Sequence, residues 1–281
     1  MEQTKGYFRL KGKIWGLNNK EPFTNETGTI RTLSIGIQSS KENSNYVQLG
    51  KWANRPMNIK YKVEGMEKAE EIDEQTAITN FKEMFKDGDS VYVNLRVEPN
   101  AFTGKLDYIV SQIYIEKEPI DFNSESFEEV NELMQPVVIT ENPSDRKVTA
   151  GIITWDGKMI ELDLKLDDDI VNEYFQENVK VGDLVPVNIY VFNKPTYSGD
   201  GEETERTTLK GKKKTSGQKI TGRELEYQIV DVDTSKVDKR LYDREIIRQT
   251  RELTKEGKLD GNKKAQDNNT SSKVEEDDLP Y

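Results

Sequence analysis

Lys5, Tyr7, Arg9, Lys11, Lys13 and Trp15 recur at every second position near the start of the chain. In a β-strand such residues share one face, while Phe8, Leu10 and Ile14 point the other way, toward a core. Cations at this spacing neutralise phosphates, and rings set between them stack on unpaired bases at about 1–3 kcal/mol per base, with little regard for sequence. The same pattern also fits an exposed strand face or a lysine-protected sheet edge. Later segments add residues of the same types. Tyr46 and Trp52 share one parity, Lys60 and Lys62 alternate with Ile59 and Tyr61, and Tyr92, Asn94 and Arg96 point away from an apolar side. Phe102 falls near the tip of the turn that follows. Taken singly, each aromatic fits core packing equally well; taken as a set, they point to a surface for single-stranded nucleic acid.

Composition narrows the chemistry. The chain has 281 residues, Lys+Arg 41 against Asp+Glu 52, and a formal net charge of −11. Its length suggests about two domains, and a hydrophobic content of 33% leads to the expectation that part of it is disordered. With neither histidine nor cysteine, zinc fingers, thiol or histidine triads and disulfides are excluded. The lack of cysteine fits a reducing compartment. No apolar run is long enough to span a membrane, and Met1–Lys5 lacks the apolar core of a signal peptide, so a cytoplasmic location is expected. The acidic total argues against nucleic-acid binding only if charge is spread evenly, since a local basic face can act beside an acidic tail. Asp167-Asp168-Asp169 could hold a divalent cation, but they open a predicted helix, where acids cap free N–H groups. No phosphate-cradling loop is present. Neither a catalytic activity, a cofactor nor a metal is expected.

The elements that must position these residues repeat. Gly88-Asp89-Ser90-Val91-Tyr92-Val93-Asn94-Leu95-Arg96-Val97 matches Gly182-Asp183-Leu184-Val185-Pro186-Val187-Asn188-Ile189-Tyr190-Val191. Downstream, Thr103–Val110 echoes Thr221–Val230, and each Gly-Asp follows a helix-like segment, 70–86 in one copy and 168–179 in the other. Each copy reads as three strands, a helix, then two strands, which is the order of the OB-fold, a small partly open barrel that commonly binds oligonucleotides. The fold class expected is therefore mainly β with short helices: two OB-fold-like five-stranded barrels in tandem, plus a disordered acidic C-terminal tail. The divisions expected are a first barrel at 1–118, a linker at 119–143 that holds at most a short helix, and a second barrel at 144–234 with a long loop at 193–220. A charged helix at 235–259, with an apolar stripe of Val237, Leu241, Ile246 and Leu253, leads to a disordered tether and tip at 260–281.

In the second copy, Ile160, Leu162, Leu164 and Leu166 face inward and Glu161 and Asp163 outward, an outer face that repels phosphate. Its contributions to a nucleic-acid surface would be Trp155, Tyr190, Phe192 and the loop lysines Lys212, Lys213 and Lys214. The chain closes with Glu275-Glu276-Asp277-Asp278-Leu279-Pro280-Tyr281. Proline limits the entropy lost when such a peptide docks, and the ring fills a pocket while carboxylates meet basic side chains. A solubilising acidic tail is the alternative. This terminus resembles the tip of bacterial and phage single-stranded DNA-binding proteins, with Tyr281 where that family carries Phe. The resemblance implies sequence-tolerant coating and protection of single-stranded DNA during replication, recombination or repair, and recruitment of replication or recombination proteins through the tip. It also implies a tandem chain able to work as a monomer, and the Asn-, Lys- and Glu-rich composition fits a phage. A tandem-barrel scaffold that binds other proteins is the second reading, and a carboxylate–metal nuclease the third.

Overall fold

Strand alternation at the N-terminus carries directly into three dimensions: Phe8, Leu10 and Ile14 are at most 1% exposed, and Arg9, Lys11 and Lys13 between them face outward. The computed structural model describes residues 1–101, 103–198, 204–207, 213–216 and 219–266, with side chains described outside 194–222 and 256–266. Its first half contains β1 (Gly6–Trp15), β2 (Phe23–Thr24), β3 (Arg31–Gln38), β4 (Ser44–Leu49), β5 (Asn58–Lys62), β6 (Glu70–Asp73), α1 (Glu74–Met84), β7 (Ser90–Asn100) and β8 (Lys105–Ile115). Its second half contains β9 (Asn131–Ile139), β10 (Lys147–Ile153), β11 (Met159–Lys165), α2 (Asp169–Asn178), β12 (Leu184–Ser198), β13 (Thr204–Thr207), β14 (Lys213–Ser216), β15 (Lys219–Val232) and α3 (Arg244–Gln266).

Each half closes the same circuit. β1 pairs with β3, β3 with β4, β4 with β8 in parallel, β8 with β7, and β7 with β1. The second circuit runs β9, β10, β11, then β15 in parallel, β12 and back to β9. In both, the helix lies between the third and fourth barrel strands, and the third and fifth strands are the parallel pair. These are two OB-type barrels in tandem. The helices are set by like means: Asp73 accepts from the backbone N–H groups of Gln75 and Thr76, and Asp168 accepts from that of Val171. Asp168 thus acts as a helix cap. Phe81 and Phe175 are buried from the two helices.

The repeated Gly-Asp turns also do the same job twice. Gly88 and Gly182 adopt φ of 92° and 95°, a region that favours glycine. Their N–H groups donate to the carbonyls of Ile14 at 2.8 Å and Ile139 at 2.9 Å, locking the turn to the end of the first strand of each barrel. Asp89 and Asp183 then cap the turn, accepting from the N–H of Lys86 at 2.9 Å and of Lys180 at 3.0 Å.

The barrels are fused rather than strung together. β1 offers one edge to β7 and divides the other between β3 and β9, with Phe8 opposite Leu133 and Leu10 opposite Asn131. One apolar core runs through both barrels. Within it Phe8 packs edge-on against Tyr108 at 4.8 Å, and Tyr108 donates to the hydroxyl of Tyr227 in the second barrel at 3.2 Å. Polar contacts seal the joint: buried Asn43 donates to Val191 O at 3.0 Å and accepts from Asn193 N–H at 2.9 Å, and Asn131 donates to Val191 O at 2.8 Å.

Three expectations from sequence change here. The segment 119–143 is no linker: it holds β9, the strand that opens the second barrel, and no helix. Pro136 argues against a strand in sequence, yet in the structure it faces Pro186 and lies between the residues of β9 paired to β1 and those paired to β10, where no ladder partner needs its N–H. The 193–220 connection carries strands as well, since β12 and β15 run on as a long antiparallel pair and β13 and β14 pair with each other. Finally, α3 begins later and extends further than 235–259, and most of the stripe expected to dock it is outward: Leu241, Ile246 and Leu253 are exposed and Val237 packs on the core ahead of the helix, while Ile247, Thr250 and Thr254 are buried. Thr254 accepts from Met159 N–H at 2.9 Å, so polar contacts share the docking with Ile247.

Candidate nucleic-acid interface

The basic residues of the first barrel do share one outer face, but most are matched by carboxylates. Arg9 pairs with Glu132 across the β1–β9 joint, and Lys11 with Glu116 at 3.1 Å. Lys13 lies 5.2 Å above the ring of Phe122, and Lys60 pairs with Glu71 at 3.5 Å. Lys62 donates to Glu67 O at 3.0 Å. Arg96 binds Glu74 at 2.8 Å and Glu98 at 3.1 Å. Lys5 is exposed, with no ion pair among the described residues. Tyr7 is half exposed, and half-buried Tyr92 stands opposite Lys11 and Tyr114. Phe102, Lys212, the side chains of Lys213 and Lys214, and the tip Glu275–Tyr281 lie outside the described residues.

Trp15 and Tyr46 meet across the sheet. Both stand opposite Gly36 on β3, and the indole lies so close that a Cβ there would fall 2.1 Å from it. Their rings are 5.2 Å apart, and the guanidinium of Arg223, from β15, sits 5.3 Å from the first and 5.7 Å from the second. Arg223 also donates to Asn193 O at 2.9 Å. This cluster caps the barrel joint; Tyr46 keeps an exposed edge and Trp15 is half-buried.

A cleft of about 590 Å³ has walls from both barrels and lies toward the other end of β3 and β4 from this cluster. The first barrel supplies Lys51, Trp52, Asn54 and Arg55, just after β4, and Glu98 and Pro99 at the end of β7. The second supplies Trp155, from the β10–β11 turn, and Gln3 reaches in from the N-terminus. Trp52 is 45% exposed and Trp155 is 80% exposed. Arg55 is exposed and has no ion pair among the described residues. Lys51 is held by Glu98 at 2.7 Å and Asp107 at 3.2 Å.

Glu98 carries the electrostatics of this rim. Burial pushes its carboxyl up, but the Lys51 ammonium and the Arg96 guanidinium outweigh burial and hold it below the usual carboxylate range. A carboxyl so depressed stabilises the fold above its unfolded-state pKa and loses that contribution as pH falls through the lower folded value. Stability is therefore expected to drop on acidification below about pH 4. Replacing Lys51 by methionine is expected to flatten that part of the acid limb, as read by thermal melts across pH.

Sequence reasoning singled out Trp52, which the structure leaves 45% exposed, but not Arg55, Asn54, Gln3 or Arg223, and it did not pair Trp52 with Trp155. The run Lys51-Trp52-Ala53-Asn54-Arg55 carries the signal for the first wall. The second wall needed the barrel joint.

No curated protein sequence matches the chain. Among solved structures, a deletion variant of the single-stranded DNA binding protein from Thermus aquaticus aligns over 82% of this chain and 93% of its own, with 9% identity and a TM-score of 0.39. The barrel assignment rests on the strand circuit and not on that likeness. The YorF family model matches residues 5–268, nearly the full length, and the chain accordingly belongs to the YorF family.

Proposed function

We propose that this chain binds single-stranded DNA without sequence preference. The observation that carries the reading is a set of large aromatic side chains left in water: Tyr7 at 50%, Phe23 at 60%, Tyr46 at 37%, Trp52 at 45% and Trp155 at 80% exposure. Exposed rings forgo the free energy of burial, and two of these, Trp52 and Trp155, line one cleft, the kind of exposed apolar surface that marks a binding site. Unpaired bases offer each ring a π-face whatever their identity, whereas a duplex hides those faces in its stack. OB-type barrels are suited to such oligomers. The reading involves no catalytic step. In it the acidic tip, Glu275–Tyr281, recruits replication or recombination proteins, and the chain works in the cytoplasm.

Oligothymidylate added at low salt is expected to quench tryptophan fluorescence. Affinity is expected to fall with salt, at a log–log slope of about −0.7 for each phosphate neutralised on a single strand. Two free cations such as Lys5 and Arg55 correspond to a slope of about −1.4. Unchanged fluorescence, together with no complex in a gel shift at low salt, would overturn the reading.

A further inference from the structure

The two exposed tryptophans of the cleft are carried on rigid frames. Trp155 follows β10 in a turn bonded within itself: Thr154 N–H donates to Lys158 O at 2.9 Å, Gly157 N–H to Thr154 O at 3.1 Å, and Lys158 N–H to the Thr154 hydroxyl at 2.9 Å. Gly157 takes φ of 77° there, which closes the turn behind the indole. Trp52 is bridged to Ile30, and its neighbours are tied down as well, with Arg31 N–H donating to Lys51 O at 3.1 Å and Ala53 N–H to Thr29 O at 2.8 Å. The N-terminal segment, whose Gln3 also lines the cleft, is fixed to the Trp155 frame. Thr4, which leads into β1, is buried; its hydroxyl accepts from Ile153 N–H at 2.8 Å and its own N–H donates to Ile153 O at 3.2 Å. Ile153 is the last residue of β10, two before Trp155. The turn thus fixes the backbone that carries an indole exposed to 80%, so little further backbone ordering is lost when that indole meets a ligand.

We propose that Trp52 and Trp155 form the two sides of a nucleobase subsite at the barrel joint, which takes one unpaired base between the indoles while Arg55 meets the adjoining phosphate. The proposal rests on the single-stranded DNA reading and adds to it a place and a mode. The base is shared by the two barrels, so binding depends on the joint and not on either barrel's sheet alone. Asn54 and Gln3 bring amides that adapt to any base edge, in keeping with sequence tolerance. A base inside a duplex cannot enter, because both its faces are already stacked.

The test uses the full chain and an oligothymidylate in which 5-iododeoxyuridine replaces some thymidines. Irradiation is expected to crosslink the strand to Trp52 and Trp155, mapped by mass spectrometry of the peptides. Trp155→Ala is expected to weaken binding ~5- to ~100-fold, and Trp155→Phe to restore most of it. Because Trp155 is 80% exposed, neither change threatens the fold, which circular dichroism checks. Arg55→Ala is expected to lower the salt slope by about 0.7. If the strand still binds but crosslinks elsewhere, and Trp155→Ala matches the wild type, the subsite is rejected while the single-stranded DNA reading stands. If the wild-type chain does not bind the strand at low salt, both are rejected.

Discussion

Truncating Phe8 to alanine is expected to destabilise the chain by about 3–5 kcal/mol, with both barrels melting together. Phe8 has 0% exposure and lies on the strand shared by the two barrels, opposite Leu95 on β7 and Leu133 on β9. Its ring packs on Tyr108, which in turn is hydrogen-bonded to Tyr227 of the second barrel. Removing the ring leaves a cavity at the one place where both halves of the core meet, and the walls are β-strands paired on both edges, which collapse poorly into a void. Denaturant unfolding followed in parallel by circular dichroism and tryptophan fluorescence checks this. The fused core predicts coincident transitions in the wild type and a midpoint lowered for both signals in the variant. Two separated transitions, or a loss under about 1 kcal/mol, would contradict it.

The second large effect concerns Arg96. Read from sequence it is a phosphate contact; in the structure its guanidinium lies against Glu74, a carboxylate 1% exposed, and also against Glu98. Removing one member of a buried ion pair leaves the other charge unmatched in a poor solvent for it, which costs about 3–5 kcal/mol. Arg96→Ala is therefore expected to lose stability on that scale, and Arg96→Ala combined with Glu74→Gln to recover a substantial part of it, because no bare charge then remains. Equilibrium unfolding of the two variants decides the matter. A single variant as stable as wild type would show that Arg96 is free to serve a ligand after all.

These two residues also mark how far the sequence can be read. Strand alternation places Phe8 inside and Arg96 outside, because period two is local to one strand. The Gly-Asp turns and the helix that precedes each are equally local, so the duplication and the OB-type order of elements are visible in one dimension. What Arg96 faces is not local. Glu74 is brought to it by α1 packing, just as Glu132 is brought to Arg9 by the β1–β9 register. The basic face seen in sequence is thus largely neutralised in space. β9 escaped notice because Pro136 reads as a strand breaker, and its tolerance depends on a gap between two partner strands. Trp155 lies beyond the end of β10, outside any alternation, and that it shares a cleft with Trp52 depends on how the two barrels are joined. The docking of α3 misled for a related reason: buried Thr250 and Thr254 replace the apolar stripe that periodicity favours.

The central claim, that the exposed aromatics serve unpaired bases, meets its most direct test in a competition experiment. Labelled oligothymidylate bound to the full chain at low salt is challenged with unlabelled single-stranded and duplex DNA at equal nucleotide concentration. Single strands of mixed sequence are predicted to displace the label at far lower concentration than duplex, with recovery of the labelled strand's free mobility. Equal displacement by duplex, or no labelled complex to displace, would contradict the claim.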